Sequence, residues 1–213
     1  MKCLLTIICF ILLGAAAPAA KPSFSCNKRL TKSEQAICAD PELAAWDRAV
    51  SKVYGLIDKP AELAISEQKD WLAQRDACGS NRDCLLGAFR KWPGFEVPVT
   101  GFGMELHRQG TDPIEPADLE VMPIYGTWYY FSVNAQHIRG ENVHTGSFAG
   151  AIDLHNGEAK FDEMPGEQYA CRFRIARISS SHWTIDQFDS DAMCGGLNVY
   201  MAGDYRIAGR KRQ

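Results

Sequence analysis

Four cysteines punctuate a helical pattern between Cys26 and Trp92, downstream of a segment that reads as an export signal, and this limits the fold more than any other feature of the chain. Met1 and Lys2 are followed by the apolar run Cys3 to Leu13 and then by small residues from Gly14 to Ala20. A positive start, a short apolar core and a small-residue end make a secretory signal peptide. Ala17-Pro18-Ala19 places the cut after Ala19, so residues 1–19 are expected to leave. The apolar run falls short of the ~20 residues that a spanning helix needs. No second long apolar run follows, so no membrane span and a periplasmic or secreted, soluble protein are expected.

Export gives the cysteines their meaning. Cys3 and Cys9 go with the signal and leave Cys26, Cys38, Cys78, Cys84, Cys171 and Cys194. An even set in an oxidising compartment reads as disulfides. Zinc would need close cysteine pairs with histidines nearby, and the first half has no histidine. Local pairing gives Cys26–Cys38 and Cys78–Cys84. The alternative joins Cys38 to Cys78 and Cys26 to Cys84 across an antiparallel helix hairpin. The glycine turn at Gly79 favours the local pairs. Cys171 and Cys194 then pair in the second half.

Helical spacing runs through residues 20–93. Thr31-x-x-Glu34 is a capping box for a short first helix. Asp40-Pro41-Glu42 opens a second, because Asp accepts from free backbone N–H groups and Pro fits the first helical position. Leu43, Trp46, Val50, Val53, Tyr54 and Ile57 give it one apolar face. Pro60 opens a third helix through Trp71 and Leu72, Gly79-Ser80-Asn81 breaks it, and a fourth runs from about Asp83 to Trp92. A bundle this short has a thin core, which small exported domains reinforce with disulfides.

Residues 94–125 read as a linker. Five prolines and four glycines between Pro93 and Pro123 rule out long helices, with a strand expected only near Phe95 to Val99. The acidic cluster Asp112, Glu115, Asp118 and Glu120 lies there.

From residue 126 to 213 the pattern is β. Expected strands are Thr127–Val133, Gly146–Leu154, Tyr169–Ile178, His182–Phe188 and Leu197–Met201. In the third, Cys171, Phe173, Ile175 and, less strictly, Ile178 lie on one side and Arg172, Arg174 and Arg177 on the other, the mark of a sheet with one wet face. His155-Asn156-Gly157 and Ser179-Ser180-Ser181 supply turns. The expected fold is α+β: a disulfide-stapled helical bundle followed by a small antiparallel barrel or sandwich.

Charge divides between the halves. Residues 20–93 hold 12 basic and 10 acidic side chains, whereas 94–213 hold 10 and 16, a net of −6. That acidity argues against nucleic acid, which wants basic stripes.

Cys26, Cys38, Pro41, Leu43, Asp47, Tyr54, Gln68, Trp71, Leu72, Arg75, Cys78 and Cys84, in that order, resemble the N-terminal domain of the LprI-type lysozyme-inhibitor family of exported bacterial proteins. The resemblance covers about residues 24–92. It implies a small disulfide-stapled helical domain in the bacterial envelope and, from the family's name, inhibition of lysozyme as the partner. Gly126-Thr127-Trp128 resembles the opening of lipocalin-like barrels, although a Trp buried at a strand start explains it equally.

No catalytic constellation emerges. In Gly146-Ser147-Phe148-Ala149-Gly150 the serine stands one place early for a nucleophile elbow. Gly101-x-Gly103 lacks the third glycine of a phosphate loop. A cysteine nucleophile needs a free thiol. Asp186, Asp189 and Asp191 are too few oxygens for a calcium loop and read as a solvated turn. Gln68, Trp71 and Arg75 share one helical face, so pairing of Asp47 with Arg75 between helices, with Trp71 in the core, is preferred to a binding site. No catalytic residue, metal or cofactor is therefore expected. The reading is a lysozyme inhibitor that blocks the enzyme's cleft through an exposed loop. Val133 to His144, with His137 and His144, and Ser179 to His182 are the loops offered. The alternative is an envelope binding module holding a cell-wall fragment or small apolar ligand inside the barrel. An apolar cavity would favour the module, and a filled core the inhibitor.

Overall fold

In the computed structural model, residues 21–58, 61–110, 113–162, 171–188, 194–196 and 198–207 are described. The signal segment lies outside them. Four helices come first: α1 (Lys32–Ala39), α2 (Pro41–Leu56), α3 (Ala61–Ala77) and α4 (Arg82–Arg90). The starts of α1, α2 and α4 are set by local chemistry. Thr31 and Glu34 form the reciprocal capping box on α1, and the Asp40 carboxylate accepts from the Glu42 and Leu43 N–H groups on α2. Asn81 caps α4 by accepting from the Cys84 N–H. The disulfides are Cys26–Cys38, Cys78–Cys84 and Cys171–Cys194. Each of the first two ties a loop to a helix end.

A 3-10 turn at Pro93–Glu96 stands where a strand was expected, and eight strands follow. They are β1 (Met104–Arg108), β2 (Ala117–Tyr125), β3 (Trp128–Arg139), β4 (Asn142–Asp153), β5 (Glu158–Asp162), β6 (Arg172–Ser179), β7 (His182–Gln187) and β8 (Gly203–Arg206). Neighbours pair antiparallel in the order β4-β3-β2-β1-β8-β7-β6-β5, so β8 closes onto β1 and the one seam falls between β4 and β5. Phe148 and Phe161 bridge that seam edge to face, 4.5 Å apart. The result is a nearly closed, eight-stranded antiparallel barrel.

The stretch expected to be a linker thus contains β1 and β2. Its prolines and glycines sit where strands tolerate them. Pro123 falls at the register shift of β2, where a missing N–H costs the ladder little, and Gly101, Gly103 and Gly110 flank β1. Of the strand expected at 197–201, Leu197 lies outside the described residues and residues 198–201 form none; among the described residues the chain pairs as a strand here only from Gly203 onward. Ile178, assigned to the inner face, is 59 % exposed, because a register shift between Arg177 and Ser179 turns it outward.

Two cores lie back to back across β2, β3 and β4. Inward-facing Leu119, Val121, Phe131, Val133 and Ile152 join Phe173, Ile175, Trp183, Ile185 and Tyr205 in the barrel interior. Outward-facing Met122, Ile124, Tyr130 and Ala149 join Leu43, Trp46, Val53, Leu85, Phe89, Phe95 and Phe102 in the helical core. Trp128 belongs to this second face. It meets Trp46 edge to face at 5.2 Å, with the Arg90 guanidinium 4.7 Å from its ring, rather than entering the barrel as its lipocalin-like position suggests.

Among the described residues, side chains pack the barrel interior from one end to the other. Near one end the buried Arg108 guanidinium donates to the carbonyls of Tyr200, Ala202 and Glu115. At the other, Tyr129 packs on Trp183 at 5.3 Å, and Arg177 lies over the Tyr129 ring and donates to its hydroxyl. Burial raises the Tyr205 and Tyr130 hydroxyls well above the ordinary tyrosine pKa.

Candidate partner-binding surfaces

Of the residues that carried the family resemblance, Asp47, Tyr54, Gln68, Trp71, Leu72 and Arg75 gather between α2 and α3, where they line a shallow groove beneath the Ser23–Phe24 segment. Asp47 and Arg75 are buried and lie 3.9 Å apart. Arg75 makes its closer bonds to Asp76, with Nε at 3.0 Å and Nη2 at 2.7 Å from Oδ1. Ser33 Oγ donates to the same oxygen, and the Ser23 N–H donates to Asp47 Oδ2 at 2.6 Å. Trp71 is 5 % exposed and donates through Nε1 to the Ala88 carbonyl. Gln68 Oε1 accepts from Trp92 Nε1, and Tyr54 packs 6.4 Å from the Trp92 ring. A charge network that donates and accepts among its own members stitches α1, α2 and α3 together. It has little left to offer a ligand.

The histidines offered as loop residues stand on strands. His137 in β3 and His144 in β4 are direct cross-strand partners, and the turn between these strands is only Gly140–Glu141. Long β alternation through Gln136 and His137 would have revealed this, but polar residues on both faces hide it. His137 Nδ1 lies 3.5 Å from Glu115 Oε1. His182 opens β7 and pairs with Asp204 of β8. In an antiparallel meander, the turns after β3 and after β6 fall at opposite ends of the barrel. The two loop regions therefore make two separate surfaces.

The helices cover the part of β2–β4 nearest the β2–β3 turn, through Met122, Ile124, Trp128 and Tyr130. The β3–β4 tip stays open: Arg139, Gly140, Glu141, Asn142 and Val143 are all exposed, Val143 by 54 %. At the far end, a polar hollow is framed by Gly126, Thr127, Gly157 and Ser179, with Arg177 on its wall. Asp186 pairs with Arg174; Asp189 and Asp191 lie outside the described residues, as does Asp112 of the acidic cluster.

Glu120, the most buried of the described members of that cluster, accepts from the Gly101 and Gly103 N–H groups and so fastens the entry to β1. Sequence reasoning missed this role because the glycines looked like linker punctuation. Among the described residues no helix is long and apolar enough to cross a membrane.

No curated protein and no solved structure matches the chain. Residues 26–102, which span the four helices and the approach to β1, match the family of the lysozyme inhibitor LprI, an inhibitor family rather than a known enzyme family, while the barrel has no assigned family.

Proposed function

We propose that the protein is an exported inhibitor of lysozyme that acts in the periplasm or outside the cell by occluding the enzyme's substrate cleft. The family match over residues 26–102 carries this reading. The filled barrel supports it over the alternative of a ligand-holding module: Phe131, Phe173, Trp183 and Tyr205 occupy the space that a cell-wall fragment or apolar molecule would need. The disulfides suit the oxidising compartment that the N-terminal signal pattern implies.

The contact is assigned to the β3–β4 tip. Arg139 is exposed and makes no ion pair among the described residues, so its guanidinium is available to the catalytic carboxylates at the bottom of a lysozyme cleft. A charge-assisted, two-pronged bond to a carboxylate is the strong form of such a contact. The net charge of −6 over residues 94–213 draws a basic lysozyme toward the barrel before docking.

The test is a titration of chicken-type, goose-type and invertebrate-type lysozymes on cell-wall substrate with the oxidised protein, at low and moderate salt. Stoichiometric loss of activity with at least one type, weakened by Arg139→Glu, is expected. Undiminished activity of every type would overturn the function. Full inhibition by Arg139→Glu would move the contact away from this tip.

A further inference from the structure

The outer face of β1 and β2 carries a set of side chains that neither the barrel nor the proposed inhibition uses. Glu105 and His107 alternate along β1 and both point outward, because Leu106 between them is fully buried. Across the ladder, Glu105 faces Glu120 and His107 faces Asp118. The four form a two-by-two grid of three carboxylates and one imidazole. Like charges placed directly opposite on a sheet are destabilising. Glu120 is relieved by two backbone N–H groups. Glu105 has no such relief: it makes no ion pair among the described residues.

His107 Nδ1 and Asp118 Oδ1 are 2.6 Å apart. One ligand atom from each of Glu105, His107 and Asp118 falls within 4.8 Å of the other two. Bonds of about 2.0–2.1 Å from nitrogen and oxygen to a tetrahedral zinc ion place its ligands a little over 3 Å apart. Rotation of two exposed carboxylate side chains covers the difference without moving the strands. The mixed set of one imidazole and two carboxylates suits zinc or a similar divalent transition metal. Calcium prefers six to eight oxygens. One cation is nearby: Arg206 of β8 is the register neighbour of His107, and its guanidinium lies 3.9 Å from Asp204 on its own strand.

We propose that Glu105, His107 and Asp118 form a surface site for one divalent transition-metal ion, with water completing the coordination. The site is independent of the lysozyme reading and lies on a different face from the β3–β4 tip.

Calorimetric titration of the oxidised chain with zinc chloride, in a buffer that does not bind zinc, tests the site. One saturable zinc per chain is expected, reversed by a chelator. His107→Ala is expected to weaken it by at least roughly tenfold, and Asp118→Asn in the same direction. His182→Ala, which removes the His182–Asp204 pair, is expected to leave binding unchanged. Circular dichroism establishes that each variant is folded. No saturable uptake at sub-millimolar zinc overturns the proposal. So does a folded His107→Ala variant that binds like the parent, or equal losses in His107→Ala and His182→Ala.

Discussion

The helical region and the barrel solve the same shortage of core by opposite means. The helical region closes short loops: its two disulfides join residues 12 and 6 positions apart, and α1, α2 and α4 start at caps made within three residues. It still does not enclose its own core. Trp46 and Phe95 complete their packing on Trp128 and Tyr130, which belong to β3. The barrel works at long range. Its ladder joins β8 to β1, its disulfide spans 23 residues, and its interior is built by its own strands. The lesson is one of dependence. One sheet serves as the wall of the barrel and the floor of the bundle, so the region that matches the inhibitor family rests on a region that matches none.

That comparison breaks most severely at the shared floor. Trp46→Ala removes a fully buried ring that touches both Phe95 and Trp128, at a cost of about 4 kcal/mol. If the floor is shared, urea unfolding followed by circular dichroism shows the barrel's transition moving together with that of the helices. Next comes removal of the Cys171–Cys194 bridge by paired alanines. Loop-closure entropy gives about 3 kcal/mol for its span and about 2 kcal/mol for Cys78–Cys84. Thermal melts of the two double variants sharpen the contrast between long-range and local stapling.

A smaller effect falls at the barrel seam. Gly146 of β4 lies against Gly195, and the Gly196 N–H donates to the Thr145 carbonyl, so the 194–196 loop covers the free edge of β4. A Cβ on Gly146 would stand 2.6 Å from the Gly195 Cα. Gly146→Ala is expected to cost about 2 kcal/mol, seen as a lower melting temperature and faster amide exchange in β4.

The smallest effect belongs to the most local device. Thr31→Ala opens the capping box of α1 and costs about 1 kcal/mol. The Thr31 N–H bond, helped by Lys28, holds the Glu34 carboxyl below its ordinary pKa. The stabilisation it adds is present above the unfolded carboxylate range and is lost as pH falls through the folded-state pKa. The parent and Glu34→Gln, which removes the titrating carboxyl, should therefore converge in stability in thermal melts on acidification, whereas the loss in Thr31→Ala, which keeps that N–H, should vary little with pH.

What was legible in the sequence follows the same division. Helix starts, local disulfides and the polar network around Arg75 depend on neighbours in sequence or on one helical face, and the spacing of Asp40, Pro41, Gln68 and Arg75 displays them. The strands β3, β4, β6 and β7 were legible in part, but β3 and β4 run on through residues 134–145, most of which read as a loop. β1 and β2 were not, because each presents carboxylates outward and is bounded by glycine or proline. Their strand character comes from partners far along the chain, including β8. The surfaces were the least legible. His137 and His144 look like loop residues in sequence and prove to be a cross-strand pair, since polar residues face both ways near a barrel end.

Hydrogen exchange through a urea titration, with amides of α2 and α4 followed separately from those of β6 and β7, tests the shared floor most directly. If helices and barrel rest on one sheet, both sets lose protection at the same urea concentration, as a two-state unit requires. Loss of protection in α2 and α4 while β6 and β7 stay protected would contradict it.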